Sequence, residues 1–388
     1  MAARAALRGT STSMLIDRLD VYRLSIPFTT HRPAANASDA VFNAASAAYS
    51  RMGSLFVKVT LDDGRSGWGE AFGHAGNVAT AALLAGAVGQ FFIGQSAGIL
   101  PTKLNSDARR AFHSYGQTGP FIYALSAVDT ALWDLAAQQA GLPLHRMLGG
   151  SGDGVVPTYA SLVSYDNDPQ LVSDEVARAC TAGFRAIKLH EVAFPAVDAA
   201  RRVAPKDVAL MVDVNCAWTE ASAAETFEQW REVGLEFVEE PLWPVDDYAA
   251  LARLRNRSVR VAAGENVAGV SGARALIEAG AVDVFQPSVA KIGGISAVLD
   301  TLDFARDRDV RVLPHCFYYG PGLLATAHIV ASLGGSAGLE MPYLRYEALL
   351  HEAMAPAPSL ALSSDAGLGF RPDYAVIDKY RVDHFTVQ

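Results

Sequence analysis

Three segments decide the fold: ALMVDVN at 209–215, EFVEEP at 236–241 and VAAGEN at 261–266. Each contains a short apolar run that ends in an acid, and Asp213, Glu239 and Glu265 follow one another at intervals of 26 residues. One strand and one helix fit into an interval of that length. We therefore predict that the three acids lie at the ends of three successive parallel strands and face the same cavity.

The alternation of strand-like and helix-like segments continues on both sides of these acids. Eight strand candidates occur, at Val155–Ser161, Ala186–His190, Ala209–Asp213, Phe237–Glu239, Val259–Ala263, Val282–Gln286, Arg311–Pro314 and Ala337–Glu340. This pattern is typical of an α/β protein with a (β/α)8, or TIM-like, barrel. A doubly wound sheet is the alternative. Polar residues at the carboxyl ends of almost all the strands favour the barrel, because barrels carry their active sites there.

The first third of the chain has a different pattern, which predicts a small α+β capping domain. Alternating segments at Asp17–Ser25, Ser54–Thr60 and Ser66–Ala71 indicate strands, whereas the spacing at Asn77–Phe91 and Ile122–Gln139 is helical. The polar segment Ser25–Val41 has no periodicity and is expected to be a mobile loop.

We expect four parts along the chain. Residues 1–14 form a disordered or added extension, 15–150 the capping domain, 151–354 the barrel, and 355–388 a C-terminal segment that packs on the capping domain. The extension is rich in Ala, Arg and Ser but lacks the apolar stretch of a secretion signal.

Composition excludes several classes of protein. The chain has 388 residues and a net charge of −9 without a basic run, which argues against nucleic acid as a partner. Uninterrupted apolar stretches fall short of membrane-spanning length, so a membrane protein is not expected. Three cysteines are too few for a disulfide framework, which favours a cytoplasmic protein.

The three acids predict a metal site. Carboxylates that share one cavity repel one another unless a cation neutralises them. Oxygen ligands suit a hard ion, and Mg²⁺ is the usual choice where water and substrate complete its coordination. Helix caps or salt bridges are the alternative role for acids at such positions. Because the three acids recur at one interval, the metal site is favoured over these roles. We predict one Mg²⁺ bound by Asp213, Glu239 and Glu265.

The chain resembles the enolase superfamily, in the branch of mandelate racemase and muconate lactonizing enzyme. The resemblance runs from about Asp17 to the C-terminus and rests on GWGE at 67–70, ALSAVDTALWDLAAQQAGLPLHRMLG at 124–149, VDVN at 212–215, EEP at 239–241, AGEN at 263–266 and LPH at 313–315. It implies a capping domain on a modified barrel, one Mg²⁺, and abstraction of a proton α to a carboxylate. The metal and a lysine would then stabilise the enediolate. The resemblance also implies a homo-oligomer.

On the second barrel strand the resemblance assigns catalytic roles to Lys188 and His190, where relatives often have Lys-x-Lys. Lys188 would contact the substrate carboxylate, and His190 could act as the base because an imidazole titrates near neutral pH. The charge of Lys188 is expected to lower the pKa of His190. Asn215, two residues after the first acid, is predicted to face the cavity and to contact the substrate or a metal-bound water.

On the opposite side His315 matches the family's histidine at the end of the seventh strand. Ser288 stands where racemase-like relatives have an aspartate. A serine can fix the tautomer of His315 but cannot stabilise an imidazolium by charge, so His315 is expected to be a weaker base. Lys291 is either a substrate contact or a salt-bridge partner at the start of a helix. Glu340 ends the eighth strand and should hydrogen-bond the enediolate or a substrate carboxylate, either protonated or held near the metal.

His31, Arg32 and His74 are candidate substrate contacts from loops over the barrel mouth, with a solvated loop as the alternative for each. The favoured activity is that of an Mg²⁺-dependent lyase that dehydrates a small hydroxy acid or acid sugar, with His190 and His315 as base and acid. Racemisation or epimerisation at the α-carbon and lactone cycloisomerisation are alternatives within the family. A non-catalytic metal-binding relative is the alternative from another class.

Overall fold

Two sheets organise the computed structural model of this protein, which describes residues 14–32, 46, 48–255, 257–334 and 338–388. The N-terminal extension predicted at 1–14 lies outside these ranges except for Met14, which packs against the hydrophobic cluster of the smaller sheet. Within the described ranges, no helix combines the length and the apolar character that crossing a membrane requires.

The smaller sheet is antiparallel and forms the capping domain. Its strands are β1 (Ile16–Thr29), β2 (Arg51–Leu61), β3 (Ser66–Ala71), β12 (Arg345–Tyr346) and β14 (Arg381–Val387). The strand order is β12-β1-β2-β3, and β14 pairs with β1 from Leu19 opposite Val387 to Leu24 opposite Arg381. The C-terminal tail therefore completes the capping domain, as predicted.

The segment expected to be a mobile loop begins as a strand. Ser25 and Ile26 continue β1 opposite β2, and Phe28 and Thr29 pair with β12. Sequence periodicity could not show this pairing, because β12 lies more than 300 residues away along the chain. Residues 33–41 of that predicted loop lie outside the described residues.

Five helices accompany the capping sheet: α1 (Asn77–Ala85), α2 (Ala87–Phe92), α3 (Pro101–Ala111), α4 (Pro120–Ala140) and α5 (Leu144–Met147). Helix α4 is buried along most of its length and packs on β3. It begins at Pro120, whose ring favours the first helical position. It ends at Gly141, which adopts the left-handed conformation (φ 66°) that glycine tolerates. Helix α3 was not predicted from the sequence.

The larger sheet contains eight parallel strands: β4 (Val155–Ser161), β5 (Ala186–Leu189), β6 (Ala209–Asp213), β7 (Phe237–Glu239), β8 (Val261–Ala263), β9 (Val284–Phe285), β10 (Arg311–Val312) and β11 (Leu339–Pro342). The order is β10-β9-β8-β7-β6-β5-β4-β11, so the last parallel strand lies beside the first. A ninth strand, β13 (Ser359–Ala361), pairs antiparallel with β4. The predicted modified barrel is confirmed.

Helices connect the barrel strands: α6 (Pro169–Thr181), α7 (Phe194–Val203), α8 (Glu220–Trp230), α9 (Tyr248–Arg255), α10 (Gly269–Glu278), α11 (Val289–Ile292), α12 (Gly294–Arg306) and α13 (Pro321–Ser332), with α14 (Tyr374–Tyr380) near the C-terminus. The register of the sheet places Asp213 directly opposite Glu239. Asp213 and Glu239, which are 26 residues apart in the sequence, thus lie side by side at the carboxyl end of the barrel.

Candidate active site

A cavity of about 420 Å³ lies at the carboxyl ends of the barrel strands. The barrel contributes His190, Asp213, Asn215, Cys216, Glu240, Trp243, Glu265, Asn266, Lys291, His315, Phe317 and Glu340. The capping domain contributes Phe72, Gly73 and His74, which follow β3. The cavity therefore lies between the two domains and is strongly polar on its barrel side.

The three predicted metal ligands converge beside this cavity. Asp213, Glu239 and Glu265 each offer a carboxylate oxygen, and these oxygens all lie within 4.8 Å of one another. Oε1 of Glu239 is buried and lacks a hydrogen-bond partner among the described residues. Burial raises the pKa of Glu239, since the charged form is disfavoured there. An unpaired buried carboxylate oxygen within an acidic cluster fits a hard cation, which would satisfy it.

Lys188 is fully buried beneath this cluster. Its Nζ lies 2.9 Å from Oε2 of Glu239 and 2.7 Å from Oε1 of Glu340. Burial disfavours the ammonium, but these two carboxylates outweigh it and raise the pKa of Lys188 well above its ordinary value. Lys188 does not line the cavity in the described structure. Two carboxylates hold its ammonium beside the acid cluster, and its predicted place near the substrate carboxylate stays a prediction.

Glu340 links three parts of the barrel. Oε1 accepts hydrogen bonds from Lys188 and from Oγ of Ser161 (2.8 Å), and Oε2 accepts one from the backbone N–H of Cys316 (2.7 Å). Burial opposes ionisation, but Lys188 and His315 outweigh it and lower the pKa of Glu340. Of the two expected states of Glu340, the pairing with Lys188 opposes the protonated one, and its role beside the metal stays a prediction.

His190 follows β5 and lies at the cavity wall. Its Nε2 is 3.3 Å from Oδ2 of Asp213. Burial disfavours the imidazolium, but the hydrogen bond and charge of Asp213 outweigh it, and the pKa of His190 is raised. The expected lowering by Lys188 is present but smaller, so the predicted direction was wrong. Nδ1 of His190 has no hydrogen-bond partner among the described residues.

His315 follows β10 and faces another member of the acid cluster. Its Nε2 lies 2.8 Å from Oε2 of Glu265, and its Nδ1 lies 3.2 Å from Oγ of Ser288. Ser288 thus occupies the predicted place beside the imidazole. Burial lowers the pKa of His315, but Glu265 and Glu340 outweigh burial and raise it. Glu265 thus supplies a negative charge that Ser288 lacks, and the weaker basicity of His315 relative to racemase-like relatives stays a prediction.

Lys291 and Asn215 both line the cavity, and the side chain of Lys291 is paired there. Nζ of Lys291 pairs with Oε1 of Glu265 at 2.8 Å and lies 4.2 Å from the centre of the Phe72 ring. Of its two predicted roles, the salt bridge is the one that the structure shows. Asn215 is not on an extended strand, because β6 ends at Asp213 and Asn215 has a φ of 46°. Its backbone N–H donates to Oδ1 of Asp213 (2.9 Å).

The three loop residues separate into two groups. His74 lines the cavity, and burial together with the charges of Lys291 and His315 lowers its pKa to about 4. Among the described lining residues, neither His31 nor Arg32 occurs. Nδ1 of His31 lies 2.5 Å from Oε1 of Glu175. Arg32 donates to backbone carbonyls, including that of Ser164 at 3.1 Å, so these partners hold both residues away from the cavity.

Two protein-family models match the sequence of this chain. The family described as mandelate racemase / muconate lactonizing enzyme, N-terminal domain, matches residues 29–149. The family described as enolase C-terminal domain-like matches residues 171–376, which is more than half of the chain. The chain belongs to the enolase superfamily, in the mandelate racemase and muconate lactonizing enzyme branch.

Relatives of this enolase-superfamily protein act on acid sugars and their lactones. A D-galactarolactone cycloisomerase of Agrobacterium fabrum is 30% identical over 76% of this chain and 79% of its own length. An arabinonate dehydratase of Saccharolobus solfataricus is 29% identical over 69% of this chain and 74% of its own length. The L-talarate dehydratase of Polaromonas sp. JS666, whose structure contains Mg and L-glucarate, shares the fold: TM-score 0.78 at 22% identity, covering 97% of this chain and 99% of the other.

Sequence reasoning missed several residues of this superfamily member's site, and Glu240 and Tyr318 are two of them. Glu240 lines the cavity and accepts a hydrogen bond from Nδ2 of Asn266 at 2.6 Å. Strand alternation predicts that Glu240 points away from Glu239, but its φ of 44° turns the chain as the strand ends. Tyr318 is buried beside Ser288 and His315. The second acid of the EEP motif was the one sequence feature that could have indicated Glu240. No sequence feature indicated Tyr318.

Proposed function

We propose that this protein is an Mg²⁺-dependent dehydratase of a small acid sugar. The observation that carries the proposal is the pair of histidines in one cavity. His190 contacts Asp213, and His315 contacts Glu265, so a different member of the acid cluster holds each imidazole. They follow the second and seventh barrel strands and therefore approach a bound substrate from different directions.

Asp213, Glu239 and Glu265 would hold the ion, and the unpaired Oε1 of Glu239 is the feature that most directly supports this. Mg²⁺ is the proposed ion because all three ligands are carboxylate oxygens, and because a dehydratase of the same fold has been crystallised with Mg. When bound, the ion would supply Lewis-acid stabilisation of negative charge on the substrate carboxylate.

His190 is the proposed base. A neutral His190 that donates its Nε2 proton to Asp213 keeps an unprotonated Nδ1, and Nδ1 has no described partner that occupies the lone pair. The C–H bond α to the carboxylate would break, with its proton moving to the imidazole and its electron pair to the enediolate. Lys188 would help to stabilise the enediolate indirectly, because its single positive charge offsets part of the negative charge of Glu239 and Glu340 beneath the site.

His315 is the proposed acid. Its Nε2 faces ionised Glu265 and therefore carries a proton, which His315 can give to the leaving β-hydroxyl. The C–O bond breaks, water leaves, and the enol that results converts to a 2-keto acid. The other polar groups of the cavity, including Asn215, Glu240 and Asn266, suit a substrate with several hydroxyl groups. That chemistry supports a sugar acid rather than an apolar carboxylic acid.

Lactone cycloisomerisation is the second candidate, and it is favoured by the 30% identity to a D-galactarolactone cycloisomerase. That reaction would use the same enolisation, but the β-oxygen that leaves would be the ring oxygen of the lactone, so the ring would open to a 2-keto acid without loss of water. Racemisation or epimerisation would also use the two histidines, each as a base on one face of the α-carbon. Assembly as a homo-oligomer is a separate prediction that the resemblance implies.

The test measures two products from one incubation. A panel of acid sugars and their lactones is incubated with the protein and Mg²⁺ in deuterium oxide. Deuterium at the α-carbon is followed by NMR, and 2-keto acid is followed by a colorimetric assay. We expect the wild type to form keto acid from one open-chain acid sugar of the panel, with loss of water. Inversion at the α-carbon without keto acid would replace the dehydratase by a racemase or epimerase. Conversion of a lactone without loss of water, and no reaction of the open-chain acids, would replace it by a cycloisomerase.

Variants of the two histidines then separate their roles. His190→Ala should lose both α-exchange and keto-acid formation, whereas His315→Asn should lose keto acid and retain exchange. Each loss should be about 10²–10⁴-fold, the usual contribution of a general acid or base. His113→Asn, an exposed histidine of the capping domain, is the matched control and should be unchanged. If His190→Ala retains exchange and His315→Asn loses it, the assignment of base and acid is reversed. If neither the wild type nor the variants exchange the α-proton, the protein is better explained as a non-catalytic relative.

A further inference from the structure

We infer that the substrate of this site carries a single carboxylate, the one beside the acid cluster, and that its other end is uncharged and hydroxylated. An aldonic acid fits this description, as does an acid sugar whose second carboxyl is closed in a lactone. An open aldaric acid, which has a carboxylate at each end, does not fit. The inference rests on the proposed function, because it names the substrate class of that reaction, but the preference can be measured by binding alone.

The cavity has little positive charge for a second carboxylate. Lys291 is the only lysine or arginine among the described residues that line it. Nζ of Lys291 lies 2.8 Å from Oε1 of Glu265, 2.6 Å from Oδ1 of Asn266 and 4.2 Å from the centre of the Phe72 ring. An ammonium has three N–H donors, and these three groups surround it. The one lining lysine therefore already has its partners.

The chain near the cavity mouth does not supply another cation. Arg32 donates its guanidinium protons to the backbone carbonyls of Ser46, Tyr49 and Ser164, which hold it outside the lining. Residues 33–45, which follow it in the sequence, contain no lysine, arginine or histidine. A carboxylate at the far end of a substrate would find no free guanidinium or ammonium on this side.

The histidines of the cavity do not replace the missing cation. His74 is uncharged at neutral pH, because burial together with the charges of Lys291 and His315 lowers its pKa to about 4. Its Nδ1 lies 3.4 Å from the hydroxyl of Tyr49. His190 and His315 each face a member of the acid cluster, and the proposed reaction places them at the reacting carbons. No described lining residue thus offers an unpaired positive charge.

Hydrogen-bond donors are also scarce in this cavity. Glu240 is 3% exposed; its Oε2 accepts from Nδ2 of Asn266 (2.6 Å), but its buried Oε1 has no described partner. A second substrate carboxylate would add two acceptor oxygens and no proton. A sugar hydroxyl both donates and accepts, so it can pair with Glu240 whether or not that group is ionised, and equally with Asn215. The polar wall therefore suits a hydroxylated end.

The direct test compares acids that differ only at carbon 6. D-Gluconate is paired with D-glucarate, and D-galactonate with galactarate, so that each pair has either a hydroxymethyl group or a carboxylate at that carbon. Binding is measured by isothermal titration calorimetry at saturating Mg²⁺ with His190→Ala, the variant expected to bind without turnover. For each aldonic acid that binds, we expect its aldaric partner to bind at least about 100-fold more weakly, since its second charge would be buried without a partner.

A matched ligand separates charge from size. An aldaric acid whose carbon-6 carboxylate is converted to an amide has nearly the same shape but no charge at that end. We expect it to bind within about tenfold of the aldonic acid. If the amide binds as weakly as the aldaric acid, size rather than charge limits the far end, and the inference is wrong.

A variant that supplies the missing cation should change the preference. Trp243 lines the cavity and is 69% exposed, so its replacement does not disturb the core. Trp243→Arg should reduce the preference for the aldonic acid by at least about tenfold, because a guanidinium can pair with the second carboxylate. Trp243→Met, which removes the ring without adding charge, is the matched control and should keep the wild-type preference. The same shift in both variants would contradict the charge argument.

The outcomes also separate this inference from the proposed function. An aldaric acid that the wild type binds as tightly as its aldonic partner, or dehydrates as efficiently, would overturn the inference and leave the dehydratase intact. An aldonic acid that binds with the expected preference but is not dehydrated by the wild type would contradict the proposed function and leave the inference intact. If no aldonic acid and no lactone in the panel binds, the inference is wrong.

Discussion

Buried acids occupy two regions of this protein, and their surroundings differ. At the barrel mouth, Asp213, Glu239 and Glu265 lie within 4.8 Å of one another, and Oε1 of Glu239 has no described partner. At the seam between capping domain and barrel, Glu70 and Asp129 are buried singly. The first group concentrates negative charge and leaves one carboxylate oxygen unpaired although lysines and histidines contact it, whereas each acid of the second group stands alone among its hydrogen-bond donors.

The seam acids receive most of their hydrogen bonds from the barrel domain. Asp129 of α4 accepts from the backbone N–H of Ser296 (2.9 Å), from its hydroxyl (2.6 Å) and from Nδ2 of Asn105 (2.9 Å). Glu70 of β3 accepts from the backbone N–H groups of Tyr319 (3.4 Å) and Gly322 (3.0 Å). These acids join the capping domain to α12 and α13 and have no need of a cation.

The difference shows how to distinguish a structural acid from a functional one. A buried carboxylate costs free energy unless donors or a cation compensate it. Where the fold supplies backbone donors, the acid holds two domains together. Where several acids share one site and an oxygen stays unpaired, a cation would complete the compensation.

The largest difference should be in metal affinity. Glu239→Gln removes a ligand from the crowded group, and we expect Mg²⁺ binding to weaken by more than the about 10–100-fold that a second-shell change costs. Glu70→Gln is the matched control at the seam and should bind Mg²⁺ like the wild type. Isothermal titration calorimetry measures both. Equal affinities in the two variants would show that the acid cluster is not the metal site.

The next effect is on stability and should occur at the seam. Asp129→Ala leaves the backbone N–H of Ser296 and the amide of Asn105 without their acceptor. We expect the free energy of unfolding to fall by about 1–3 kcal/mol for a buried donor left unpaired. Denaturant titration measures it, and Mg²⁺ affinity should be unchanged. Asp303→Ala, an exposed acid of α12, should change stability by less than about 0.5 kcal/mol. A similar loss in both variants would remove the contrast between buried and exposed acids.

The smallest effect is a pH dependence of stability. Burial raises the pKa of Glu70 from 4.5 to about 7, although its backbone hydrogen bonds oppose this. Between these values the folded protein holds a proton that the unfolded chain has lost, so stability falls as pH rises and levels off above about 7. The contribution is at most about 1.4 kcal/mol per pH unit. Glu70→Gln should reduce this slope, with or without Mg²⁺. If the substitution leaves the slope unchanged, other titratable groups cause the pH dependence of stability.

Much of the fold could be predicted because its signals are local. The 26-residue interval of the acids requires only that each unit contain one strand and one helix, and the sheet register then places Asp213 opposite Glu239. The family resemblance added the roles of the two histidines. Asn215 lines the cavity as predicted, but not from an extended strand, and Glu240 departs from strand alternation for the same reason. Both follow the last residue of a strand, where a left-handed backbone conformation replaces the alternation on which the predictions relied.

Strand periodicity and repeat length are properties of neighbouring residues, so the barrel, the capping domain and the three acids could be predicted from the sequence. The partners that those residues contact depend on the tertiary structure. Lys188 lies beneath the cavity because Glu239 and Glu340 converge on it, and His315 meets Glu265 and Ser288 from two other strands. The charge and tautomer of a buried group depend on contacts across the barrel, and sequence spacing does not specify the direction in which a side chain leaves the end of a strand.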